Sequence, residues 1–431
     1  MSYNHNNLGH KMMEFYSKTF SNKLRSLVIH DIDSLSVSIL LLVRVGSRFE
    51  NEETSGIAHF VEHTIFKGTK KRPKTKQIAM EVEQLGATMN AFTSYDYTGY
   101  YIKVPKEKFA GAFEVLADMF LNSTFKQEEI EKERGVILEE KNMYDDQPME
   151  KVGEVFASHL FKGHPLGREI VGTKKSIKNI KRNDFLDFIS EFYGGQNILA
   201  VISGGIDSVE AVEAIEKYLG KVSEKKYAQS EKFSKLNLNQ EIINITRPIS
   251  QSHLMFGGYS IPRGSEDKYI LKVGNAILAK GFGSRLFQII RDKLGLAYYV
   301  YSEIHEFDEI GSFNIGLGVE NSKIQSAVDA AIQELKNIAN GDFSEEELNR
   351  AKNYLIGSLT TGLESSDEIG LWHGLQYLLE NKILTVEEVQ QRIESVKKDE
   401  ITGVWSGLVR PDNLLLASVS PHKRLKVELN I

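Results

Sequence analysis

His59-Phe60-Val61-Glu62-His63 holds the residues of this chain best suited to chemistry. If residues 56–66 are helical, His59 and His63 lie four apart and leave one face a single turn apart. Two neutral imidazoles so placed can bind one divalent metal, with zinc the first choice. Glu62 lies close to the same face. It is placed to take a proton from a metal-bound water rather than to act as a third ligand. The bland alternative is a surface helix whose His and Glu side chains are merely solvated.

A catalytic zinc needs a third protein ligand. The chain has no cysteine, so that ligand must be another His, Asp or Glu, and disulfides and thiolate sites are excluded. The acidic run Glu128 to Glu140 offers several carboxylates. Composition alone does not choose among them, and most must be solvated. Net charge is -6 with both signs interspersed, which argues against a nucleic-acid-binding surface. The 431 residues exceed one ordinary core, so two or more domains are expected. Met1 to Tyr16 show no apolar signal core, and the longest apolar run, Ile39 to Val43, is too short to span a bilayer. A cytoplasmic protein without a membrane span is expected, consistent with the lack of cysteine.

The elements that must position these residues follow from periodicity. Residues 1–20 read as a flexible polar lead-in. Val37 to Gly46 reads as a buried strand, followed by a polar loop in which Thr54 or Ser55 caps the histidine helix. Helical spacing covers residues 75–85, 109–121 and 126–143, and a hairpin covers 87–104. Residues 145–180 read as mixed; 184–193 and 209–219 read as helices around a strand at 197–203. Residues 221–240, rich in Lys and Ser, read as a linker. The order of elements then recurs. The segments at Ser252, Gly311 and Asn413 resemble those at Val37, Gly99 and Asn197, each offset by about 215 positions. The expectation is an α+β chain of two homologous domains, 21–220 and 241–431. Each is a mostly antiparallel sheet with helices packed on it. The second half has no His-x-x-Glu-His. It carries instead the Gly-rich loop Lys280-Gly281-Phe282-Gly283-Ser284-Arg285.

The order His-x-x-Glu-His is that of the inverted zinc peptidases. The run His59 to Thr69 resembles the active-site helix of the pitrilysin/insulinase family of zinc metallopeptidases. The nearest branch is that of the mitochondrial processing peptidase beta subunit and its bacterial relatives. The resemblance continues through residues 86–94, 133–140, 164–167, 283–287 and 291–301. It implies a third ligand at Glu140, giving one zinc per chain on His59, His63 and Glu140, with Glu62 as general base. It implies that Glu133 supports the site by a hydrogen bond to His63 or a neighbour. It implies that Asn90, Ala91 and Phe92 lie on an edge strand to which an extended peptide adds. Arg291 and Tyr298 match a pair that binds substrate backbone near the scissile bond, where Tyr298 could donate to a developing oxyanion. The implied activity is zinc-dependent cleavage of internal bonds in unfolded peptides. A homodimer is the economical assembly, with a heterodimer containing an inactive relative as its rival. The alternative function is a non-catalytic structural or assembly subunit of the same family.

Overall fold

In the computed structural model, which describes residues 4–8 and 11–431, the longest apolar runs become central strands. The strands are β1 Asn4–Leu8, β2 Lys11–Thr19, β3 Arg25–Asp31, β4 Ser36–Val43, β5 Thr88–Thr93, β6 Thr98–Pro105, β7 Ile198–Gly204, β8 Ile242–Thr246, β9 Gln251–Ser260, β10 Ala297–Glu306, β11 Gly311–Glu320 and β12 Leu415–Ser420. The helices are α1 Ile57–Ile65, α2 Thr75–Gln84, α3 Phe109–Asn122, α4 Gln127–Asp146, α5 Pro148–Leu160, α6 Lys174–Asn179, α7 Arg182–Phe192, α8 Ser208–Leu219, α9 Lys268–Ala279, α10 Ile324–Ala339, α11 Glu345–Thr361, α12 Ser366–Glu380, α13 Val386–Ser395 and α14 Lys398–Leu408. None of them is long and apolar enough to cross a membrane.

The first sheet runs β1-β2-β3-β7-β4-β6-β5 and the second β10-β11-β9-β12-β8. All pairings are antiparallel except β3 with β7 and β8 with β12. The five-strand core β3-β7-β4-β6-β5 therefore repeats as β8-β12-β9-β11-β10, with the parallel pair in the same place. The duplicated α+β architecture expected from the sequence offsets is present.

Contacts divide the chain into two interleaved units. The first takes residues 1–142, 168–231 and 362–385; the second takes 143–167, 232–361 and 386–431. These units do not follow the contiguous division at 21–220 and 241–431, and the first sheet also takes in β1 and β2 ahead of residue 21. In the first unit β4 is buried on both faces. Ile39, Leu41 and Val43 enter one core with α1 and α3, while Leu40 and Leu42 enter another with Ile369 and Leu378 of α12. A Cβ on Gly370 or Gly374 would lie 2.9 Å from Leu40 or Leu42 side-chain atoms, so glycine lets α12 approach closely. Ser38 binds Ser366 at 2.8 Å, Lys103 pairs with Asp367 at 2.7 Å, and Arg25 and Arg44 donate to the carbonyls of Tyr377 and Leu378. In the second unit α5 packs on β9 and β12, and the Tyr259 hydroxyl donates to the Leu160 carbonyl.

Two expectations need correction. Within the stretch read as a flexible lead-in, β2 pairs with β3 and buries Met13 and Phe15 against α12; residues 1–3 and 9–10 lie outside the described residues. Within the mixed stretch 145–180, Val152, Val155, Phe156 and Leu160 form the buried stripe of α5.

Candidate metal centre

Ile57, Ala58, Phe60, Val61 and Ile65 bury one side of α1 and turn His59, Glu62 and His63 away from the core. Neither Thr54 nor Ser55 caps this helix. The cap position is Gly56, at φ 93°, where a Cβ would meet the Val171 carbonyl at 2.4 Å. The Glu50 carboxylate accepts from the backbone N–H groups of Gly56 and Ala58 at 2.7 and 2.8 Å. Burial pushes the Glu50 carboxyl up to about 8, against the pull of those two donors.

The imidazoles of His59 and His63 stand 4.6 Å apart between ring centroids. Glu140 reaches them from α4. Its Oε2 lies 3.7 Å from His59 Nε2 and 3.5 Å from His63 Nε2. One ligand atom from each of the three lies within 4.8 Å of the others. Glu133 sits two turns earlier on α4 and is buried with Ile130 and Ile137. Its Oε2 lies 3.3 Å from His63 Nδ1 and its Oε1 2.8 Å from Lys67 Nζ. A proton on Nδ1 donated to Glu133 leaves the Nε2 lone pair free to face Glu140.

This donor set fits zinc. Glu140 Oε2 is buried without a hydrogen-bond partner, and two imidazole nitrogens face it. Ligand atoms ~2.0–2.2 Å from a tetrahedral ion lie roughly 3.3–3.6 Å apart, close to these separations. Burial and the neighbouring His63 lower His59 to about 3, so it stands neutral. Burial opposes charge on His63, yet Glu133, Glu140 and Glu62 together raise its pKa. Glu133 is held below the usual carboxylate range by His63 and Lys67, against its own burial.

Glu62 stands beside this trio. Burial raises its pKa, and the Thr93 hydroxyl, donating to Oε2 at 2.6 Å, opposes the rise. Thr93 ends β5, which is the edge of the first sheet. Successive residues of a strand face opposite ways, so Phe92 points away from Glu62. The far end of its ring lies against Gly99, where a Cβ would meet it at 2.2 Å, and the ring packs near Tyr97 and Tyr101. At Asn90, Ala91 and Phe92 the free edge offers main chain rather than the Phe92 ring. Arg291 and Tyr298 belong to the second unit. Arg291 lies in a π-helical turn, Phe287–Lys293, with its guanidinium 5.0 Å from the Phe287 ring and 5.8 Å from the Tyr298 ring. Tyr298 stands at a register break between Ala297 and Tyr299 and is 72% exposed.

The sequence reading does not single out Glu50 or Lys67, and it reaches Thr93 only as part of the edge strand at Asn90 to Thr93, not as a partner of Glu62. Lys67 lies one turn beyond His63 and carried a spacing signal. Glu50 and Thr93 meet α1 through loops and a hairpin, which periodicity does not reveal.

Comparisons with known proteins bear on this centre. Residues 25–174 match the family model described as insulinase, peptidase family M16, and residues 179–355 match that of the M16 inactive domain. The chain is 31% identical to an uncharacterized zinc protease of Bacillus subtilis, YmxG, over 94% of this chain and 97% of that protein. It is 34% identical to an uncharacterized zinc protease of Rickettsia bellii, over 88% of this chain and 93% of that protein. Its fold matches the crystal structure of a protease from Helicobacter pylori with a TM-score of 0.88 at 22% identity, covering 94% of this chain and 99% of that one. A structure of a peptidase M16 inactive domain from Pseudomonas fluorescens also gives 0.88 at 20% identity, over 96% and 99%.

Proposed function

This chain belongs to the insulinase family of peptidases, family M16, and we propose that it is a zinc-dependent endopeptidase acting on unfolded peptides. One observation carries the reading. Two imidazole nitrogens and an unpartnered buried carboxylate oxygen converge beside a fourth group, Glu62, that is held by Thr93. His59, His63 and Glu140 would hold one zinc per chain, and Glu133 with Lys67 fixes the tautomer and orientation of His63. Bound zinc supplies Lewis-acid chemistry, polarising a carbonyl and acidifying water.

The Glu62 carboxylate accepts a proton from the attacking water and later delivers it to the departing amine. The free edge of β5 pairs main chain to main chain with an extended peptide at Asn90 to Phe92, which accommodates many sequences and requires an unfolded substrate. Arg291 and Tyr298 bind substrate backbone, with the exposed Tyr298 hydroxyl available to a developing oxyanion. A homodimer would let one copy's second repeat serve the other's centre; a heterodimer with an inactive relative is the rival assembly. The resemblance of its motifs to those of the processing-peptidase beta branch supports a relation to that branch, and general peptide degradation in the cytoplasm is the role we favour.

Cleavage of a mixed peptide library, with zinc measured on the same samples, tests the reading. Wild type should cut, and Glu62→Gln should retain zinc and not cut. A chain that neither holds zinc nor cuts would instead be a structural subunit. Size exclusion with activity followed across the fractions tests the assembly, since an active monomer sinks the dimer.

A further inference from the structure

The two repeats finish the same sheet edge differently. In the first repeat β3 pairs with β7 in parallel on one side and with β2, antiparallel, on the other. In the second, β8 holds the place of β3, and among the described residues it pairs only with β12. The bonds from Leu416 N to the Glu241 carbonyl and from Arg247 N to the Ser420 carbonyl set the phase of this ladder. Odd-numbered residues turn their main-chain groups to β12, so Ile242, Asn244 and Thr246 turn theirs outward.

A groove of about 940 Å³ lies along that edge, within the size of a ligand site. Ile242 and Asn244 line it together with residues 423–428 and Asn430 of the flanking segment. The flanking segment is tied at both ends. Asn244 and Thr246 donate to the His422 carbonyl at 2.7 and 3.0 Å. Val427 and Leu429 are buried, and Gln325 bonds both the N–H and the carbonyl of Glu428. This frame presents Lys423, Arg424 and Lys426 to the groove, and none of them has an ion-pair partner among the described residues. Two acids also line it, of which Asp329 is engaged by Gln325 and Asn430.

We propose that this edge is a docking site for an extended acidic segment of a partner protein. The segment takes the position that β2 occupies in the first repeat. Main-chain bonds to Ile242, Asn244 and Thr246 supply the strand, and Lys423, Arg424 and Lys426 select acidic side chains. The inference is independent of the peptidase chemistry.

The probe is a fluorescent peptide alternating glutamate and valine, titrated into the full chain carrying Glu62→Gln so that it is not cut. The peptide should bind, more weakly as salt rises. A lysine–valine peptide and a backbone N-methylated acidic peptide should fail to bind. Combined Lys423→Glu, Arg424→Glu and Lys426→Glu should weaken binding by about tenfold or more. Hydrogen exchange should slow at the amides of Ile242, Asn244 and Thr246. Equal binding to the charge-reversed chain, or slowing confined to residues 88–93, overturns the proposal. So does self-association that the same reversal abolishes, because it would put a second copy in the groove.

Discussion

In both repeats a helix follows the second core strand and precedes the edge hairpin, α1 after β4 and α9 after β9. The first carries His59, Glu62 and His63; the second, Lys268–Ala279, has no histidine and no carboxylate. There Asn275 is buried and accepts from Ser302 at 2.6 Å, and Gly274 lies against the Trp405 indole. The acidic helices diverge in the same way. α4 sends Glu133 and Glu140 to two imidazoles. α11 sends Glu347 to Arg285 at 2.6 Å, and its Arg350 donates to the carbonyls of Ala276 and Lys280 at the end of α9. One topology thus supports two outcomes. Where donors converge without closing on each other, an ion can bind. Where each charge meets a countercharge or a helix-end carbonyl, the same space becomes a structural tie.

The contrast can be broken most severely at Glu62. Glu62→Gln should lower kcat by about a thousandfold while zinc content stays at the wild-type level, read by steady-state cleavage and metal analysis. The support of His63 comes next. Glu133→Gln and Lys67→Met should each weaken zinc affinity ~10–100-fold in competition with a chelator. Zinc uptake should also fall on acidification. Burial opposes a proton on His63 but the neighbouring carboxylates raise its pKa, so that proton competes with the metal as pH falls.

Thr93→Val removes one hydrogen bond to a carboxylate and should lower kcat about tenfold with little change in KM, and Thr93→Ser should restore it. An unchanged kcat in Thr93→Val would mean that Glu62 needs no such support. Glu50→Gln turns an amide NH₂ toward a helix N–H and should cost about 1–3 kcal/mol in denaturant unfolding. The smallest effect is expected in the second repeat. Asn275→Ala should leave zinc content and zinc affinity unaltered.

Much of this contrast was legible in the chain. Segment offsets disclose the duplication because strands β4, β6 and β7 and their counterparts are buried apolar runs that keep their order. The spacing of His59, Glu62 and His63 announces a metal face, and a two-turn spacing joins Glu133 to Glu140. The illegible parts depend on partners distant in sequence. Nothing local says that α5 lies on the second sheet and α12 on the first, although Pro148 and the spacing of Val152, Val155, Phe156 and Leu160 do mark α5 as a helix. The cap at Glu50 is a carboxylate reaching across a loop, where local rules look to Thr54 and Ser55. Phe92 reads as an edge-strand residue, but its ring is committed to Gly99 across the hairpin. β2 escapes because short apolar alternation at Met13 and Phe15 becomes a strand only when β3 is there to pair with it.

Zinc per chain in wild type and in Glu140→Gln, measured on purified protein after dialysis against a weak chelator, tests the central claim most directly. The expected result is one zinc in wild type and close to none in the variant, with both folded by circular dichroism. Two zinc ions in wild type, or an undiminished one in Glu140→Gln, would contradict a single centre built on His59, His63 and Glu140.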